Sequence, residues 1–350
     1  MTTTHTAPTE RADAGFGAGL RSLGASATAL STLGPVLALI LACAFFSWRT
    51  DRFLTGSNLS LIVQQVMVVG TLAIGQTLII LTAGIDLSNG AVMALGQIVM
   101  TKVVVIGLSI LGIGWLSWGP VNPYLGILLG IATCAAFGFL NGWLVTGLHL
   151  PPFIVTLGTL NIAFALTHIY SNDQTVTNLP DVLTFFGETF RIGETAITYG
   201  SVLMILLYLV TWFVLRQTAT GRHVYAMGNN PEAARLTGID TRRLLLGVYT
   251  VAGIFYGLAG LLLVARQSVG DPQAGQTDNL ASITAVVIGG TSLFGGRGSV
   301  LGTLVGALIV GVFRNGLQLI GVASIYQVLI TGVLVILAVA IDQLSRRRNA

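Results

Sequence analysis

Long apolar runs separated by short polar stretches set the plan of this chain. The runs fall at 30–48, 58–81, 88–108, 122–145, 152–170, 199–215, 244–266, 280–294, 299–319 and 323–341. A transmembrane helix needs about 20 apolar residues. The pattern therefore predicts an all-α, polytopic membrane protein of about ten helices with Gly-rich breaks. The eighth run is short and interrupted by Gly289 and Gly290. It reads as a spanning helix, a half-helix or a re-entrant segment, and either of the last two changes the count.

The polar stretches divide the chain further. Residues 1–29 are rich in Thr, Ala and Gly and read as a disordered tail without the apolar core of a signal peptide. Residues 30–345 form the membrane domain, and 346–350 a basic tail. Basic residues favour the cytoplasmic side. The loop 216–243 holds Arg216, Arg222, Arg235, Arg242 and Arg243, and the tail holds Arg346, Arg347 and Arg348. With ten spans these fall on one side together with Arg11, Arg21 and Arg297. The other side has Arg49, Arg52, Lys102, Arg191 and Arg266. Both termini are thus expected in the cytoplasm.

Composition agrees. Of 350 residues, 53% are hydrophobic and 9% charged, against about 25% charged in soluble domains. The 44 glycines suit helices that pack closely in lipid. Cys43 and Cys134 both lie in apolar runs and imply neither a disulfide framework nor a metal cluster. The lone lysine, Lys102, precedes Val103, so the chain has no Walker-type phosphate loop. Gly295, Gly296, Arg297 and Gly298 accordingly read as a tight cytoplasmic turn. No set of metal ligands, nucleophiles or paired carboxylates appears, and no catalytic role is assigned to any residue. Nothing suggests nucleic acid as a partner.

Polar groups within the spans are the candidates for a solute path. Gln76, Gln97, Asn141 and Asn161 can bond a sugar hydroxyl or another helix. Asp86 lies at a span boundary, where a helix N-cap is the simpler role. Arg314 lies inside the ninth span, and burying it alone in lipid would cost roughly 2.5–3.5 kcal/mol. A faint internal echo at an offset of 206 pairs Gly84, Leu87 and Gly90 with Gly290, Leu293 and Gly296. Transporters are often built from repeats, but a chain this rich in glycine also yields such matches by chance.

The most informative polar segment is 230–238. Asn230 suits a helix N-cap, Pro231 the first turn, Glu232 the positive helix end and Gly238 a left-handed stop. Within it, Glu232, Ala233, Ala234 and Gly238 carry a Glu-Ala-Ala-x-x-x-Gly pattern. With that pattern, the segment 221–239 resembles the coupling loop of ATP-binding-cassette (ABC) importer permeases. The segments 82–88, Asn141-Gly142 with 152–158, and 289–298 are similar to the ribose-type monosaccharide permease family. The resemblance runs from about residue 55 to 345. Ala83 departs from it, because the family usually has Gly there. Residues 313–318 and 324–327 look closest to fructose-type members.

The resemblance implies a permease subunit that is not itself an enzyme and binds no cofactor. It implies a second copy of the chain, a cytoplasmic ATPase carrying ATP and Mg, and an extracytoplasmic sugar-binding protein. It places the assembly in the bacterial inner membrane. Asn230, Pro231, Glu232, Ala233, Ala234, Arg235 and Gly238 would then dock the ATPase. An ion-coupled carrier of a small polar solute, or an ABC permease for a non-sugar solute, are the alternatives.

Overall fold

The computed structural model describes residues 34–109, 117–193 and 195–330, with isolated helical positions beyond. The tails at 1–29 and 346–350 lie outside the described residues. The described chain is mostly helical. Its apolar helices begin with α1 (Gly34–Arg49), α2 (Gly56–Leu81), α3 (Asn89–Val105), α4 (Pro123–Gly147) and α5 (Pro152–Ser171). After a single turn, α6 (Asp181–Thr184), come α7 (Tyr199–Gln217), α8 (Ala219–Asn229) and α9 (Pro231–Leu236). The last three are α10 (Thr241–Gln267), α11 (Asp278–Ile288) and α12 (Val300–Leu319).

Six of these, α2, α4, α5, α7, α10 and α12, are long and apolar enough to cross a membrane. Helices α1, α3 and α11 are apolar but shorter. Of the predicted tenth span, 323–341, residues 324–330 are helical and the remainder is described only at isolated positions. The run at 280–294 proves to be an 11-residue helix, α11, and a turn. At 1.5 Å per residue α11 is about 16 Å long, half of the roughly 30 Å hydrocarbon layer. The all-α expectation also needs amending. β1 (Leu108–Ser109) pairs with β2 (Ser117–Trp118), and β3 (Thr189–Ile192) with β4 (Thr195–Thr198), as two small antiparallel ribbons outside the helices.

Local signals start the helices. Thr55, Asn122 and Asp240 accept backbone N–H bonds at the starts of α2, α4 and α10, and Pro123 and Pro152 occupy first-turn positions. Helices α2 and α10 are largely buried, whereas α4, α5 and α7 mostly face outward. Helix α10 packs on α2, α3 and α4. Between α4 and α10 the backbones nearly touch. A Cβ on Gly253 would lie 2.3 Å from the Cys134 carbonyl oxygen, and one on Gly138 2.3 Å from that of Tyr249. Lipid gives helices no hydrophobic reason to associate, so such close approach supplies the packing.

The helices present two ends. One carries the ends of α2 and α4, the pair α8 and α9, the start of α10 and the turn 289–299. Arg216, Arg222, Arg235, Arg242, Arg243 and Arg297 cluster there in the chain. The other carries the ends of α3, α5 and α10, where Val176 and Gly270 form an antiparallel bridge.

Candidate functional site

The predicted polar helix is present as α9, a separate turn-and-a-half on the basic end. Asn230 is extended (φ −156°), and its side chain accepts from Ala233 N at 3.0 Å. Pro231 fills the first helical position. Gly238 takes φ +90°, with its N–H on the Arg235 carbonyl and Ile239 N–H on that of Ala234, the double bond of a Schellman stop. Arg235 donates to Glu232 at 2.7 Å, with both side chains exposed. That bond holds the Glu232 carboxyl below its usual range. Ala234 is buried and Leu236 is 75% exposed. Helix α9 therefore offers an apolar tip and a charged pair to whatever meets it.

Helix α8 connects α9 to the membrane helices. It buries Gly221, Val224, Met227 and Gly228 along one side. Gly228 rests on two backbones at once. A Cβ there would fall 1.8 Å from the Leu81 carbonyl oxygen and 2.6 Å from the Gly296 nitrogen. Those two atoms are bonded to each other, with Gly296 N donating to Leu81 O at 2.9 Å. Tyr225 adds a bond from its hydroxyl to the Gly298 carbonyl at 3.0 Å. Thus α8, the end of α2 and the turn 289–299 form one interlocked unit. In that turn Ser292 N–H donates to the Arg297 carbonyl, and the Arg297 side chain is exposed.

The turns after α2 and α11 share one stop. Ala83 N donates to Ile80 O and Gly84 N to Ile79 O; Gly290 N donates to Val287 O and Thr291 N to Val286 O. Ala83 and Gly290 hold the left-handed position (φ +61° and +86°). The true register of the echo is thus Ala83 to Gly290, one residue off the sequence match. Beyond it the two copies diverge, because α3 starts at Asn89 but α12 only at Val300.

The segment 82–88 folds into the protein and carries Asp86, which is fully buried. Asp86 is not the N-cap of α3; Ser88 holds that position. Instead one Asp86 oxygen accepts from Ser88 N at 2.7 Å and Ser88 Oγ at 2.6 Å, and the other from the Tyr256 hydroxyl at 3.1 Å. Asn141 donates to Ser88 Oγ at 3.1 Å. The carboxylate thereby ties the turn to α10 and, through Ser88, to α4. Sequence gave no sign of this, since Tyr256 lies far along the chain.

The other path candidates separate into two groups. Gln76 is buried and accepts from Asn89, which also donates to Ser282. Gln97 is buried and donates to the Asp271 carbonyl. Like Asn141, each of these is buried and makes a hydrogen bond within the subunit. Asn161 and Arg314 are exposed on α5 and α12. Asn161 lines a cavity of about 280 Å³ with Phe164, Gln276 and Asn279, between α3, α5 and the segment before α11. Gln276, just before α11, and Asn279, in its first turn, were missed because they fall in a short polar stretch with no periodic signal.

Residues 58–339 match the family described as branched-chain amino acid transport system / permease component. The fructose import permease protein FrcC of Rhizobium meliloti is 45% identical over 319 residues, covering 89% of this chain and 85% of the relative. The ribose import permease protein RbsC of Bacillus subtilis is 37% identical, covering 90% and 93%. The D-allose transport system permease protein AlsC of Escherichia coli is 36% identical, covering 88% and 90%. With its multi-pass helices and its match over nearly the whole permease region, the chain belongs to the branched-chain amino acid transport system / permease component family.

Proposed function

We propose that this chain is the membrane permease of an ABC importer for a monosaccharide, the class to which fructose, ribose and allose belong. The observation that carries the reading is identity along nearly the full chain with permeases named for sugars, which favours a sugar over an amino acid despite the family's description. In this reading two copies assemble in the bacterial inner membrane, each crossing it about ten times, with α1, α3, α11 together with the segment before it, and a helix after 323 completing the count. The basic end faces the cytoplasm, in keeping with its arginines. An ATPase with its ATP and Mg docks on α9, and an extracytoplasmic binding protein delivers sugar to the other end.

The interlock supports a route for coupling. A displacement of α9 moves α8, and Gly228 and Tyr225 hand the movement to the ends of α2 and α12. ATP shifts the balance only if the ATPase binds one arrangement better than the other. The sugar passes the cavity at Asn161, where amides meet sugar hydroxyls and Phe164 offers a ring face.

Two experiments test this. The tagged chain, solubilised gently from its host, is expected to bring down an ATPase with Walker motifs; repeated isolation alone in a transport-competent state contradicts the importer. Asn161→Leu is expected to cut sugar uptake roughly tenfold, about the worth of one charge-free hydrogen bond, while the ATPase stays bound. Unchanged uptake removes Asn161 from the path.

A further inference from the structure

Where α7 runs into α8, a cavity of about 350 Å³ opens beside the start of α12. Trp212, Leu215 and Arg216 of α7, Arg222 and Tyr225 of α8, and Ser299 are among its lining residues. The coupling route uses Tyr225 only as a tether and leaves the arginines without a task. Both are exposed. Among the described residues, no acidic side chain lies within ion-pair distance of either. The first N–H groups of the 20-residue α12 have no intrahelical acceptors, and the Ser299 side chain does not cap them. Burial raises the pKa of the Tyr225 phenol, and the charge of Arg216 opposes that rise. Two guanidinium groups and a helix N-terminus thus share one concavity, and all favour an anion.

The cavity's place narrows the choice of anion. Trp212 and Leu215 belong to an apolar helix of spanning length, a few residues before it ends. Tryptophan at that position marks the level of lipid headgroups. An anion there would carry apolar chains beside it.

We propose that this cavity holds the phosphate of an anionic phospholipid, with Arg216 and Arg222 on its oxygens and its acyl chains along α7. The proposal rests on the reading above for the side of the membrane that α8 occupies. Because α8 continues into α9 after one residue, a lipid seated here steadies the docking helix, and lipid composition regulates coupling.

The test uses the purified full chain without its ATPase, so its result is independent of the co-purification experiment. Native mass spectrometry after exchange into mixed micelles is expected to show phosphatidylglycerol retained over phosphatidylethanolamine. Basic residues at a membrane surface each contribute enough that Arg216→Gln or Arg222→Gln should lower retention about fivefold, and the pair about 25-fold. Arg191→Gln, at the opposite end, should leave it unchanged. Thermal stability separates lipid from soluble anion: short-chain phosphatidylglycerol should raise the melting temperature of delipidated protein, and inorganic phosphate should not. Equal stabilisation by phosphate overturns the lipid assignment in favour of a soluble anion. Equal lipid retention by wild type and the double variant overturns the site, and if that variant also loses its ATPase the arginines belong to protein docking instead.

Discussion

Gly228→Ala is expected to bring sugar uptake down to background. The added methyl would sit 1.8 Å from the Leu81 carbonyl oxygen and 2.6 Å from the Gly296 nitrogen, between two groups bonded to each other. Both are main chain, so no side-chain rotation relieves the clash. Either α8 lifts away or the Gly296–Leu81 bond breaks, and both disconnect α9 from the membrane helices. Overpacking of this kind costs about 1–3 kcal/mol, which an inserted membrane protein should survive. The measurement is uptake of labelled sugar, with the amount in the membrane followed by immunoblot. Uptake within twofold of wild type at equal abundance would show that α8 does not transmit movement through this contact.

Gly238→Pro acts by a different route. Proline fixes φ near −65°, whereas Gly238 stands at +90° and donates its N–H to the Arg235 carbonyl. The Schellman stop is lost, and α9 must end elsewhere at a local cost on the order of 3 kcal/mol. Among the described residues, nothing beyond its chain neighbours lies within 4 Å of where a side chain would begin, so the damage stays in the loop. Normal insertion is expected, with ATP hydrolysis no longer tied to uptake. Glu232→Ala should give a milder form of the same defect, since an ion pair this exposed adds little to folding and its removal chiefly alters the docking surface. ATPase activity and uptake measured together in proteoliposomes decide the matter. Coupled transport by the proline variant would exclude α9 as the docking element.

Legibility from sequence followed the range of the interactions. Helix α9 was readable because its start and stop rest on Asn230, Pro231 and Gly238, all local. Helix α8 was not singled out, although Gly221, Val224 and Gly228 recur at helical spacing on its buried side. The arginines around it suggested only a loop. Asp86 was misjudged because a carboxylate near a helix start invites the cap reading, and its actual partner on α10 is invisible locally. Amides posed a harder problem. Gln76, Gln97 and Asn141 look the same in sequence as Asn161, and only the packing distinguishes an internal bond from a cavity wall. Hydropathy also ran α11 and its turn together, because glycine interrupts an apolar run without making it polar.

The close contact of α4 with α10 bears on how the chain is made. Ribosomes deliver α10 roughly ten seconds after α4 at ordinary rates of synthesis. Through that interval the groove around Gly138 has no Tyr249 backbone to receive. Helix α4 must wait in the bilayer with its small-residue face against lipid or against the insertion machinery, open to any other helix that offers a matching surface. Biogenesis of this permease is therefore most exposed to mispairing before α10 arrives, a hazard that the finished fold conceals.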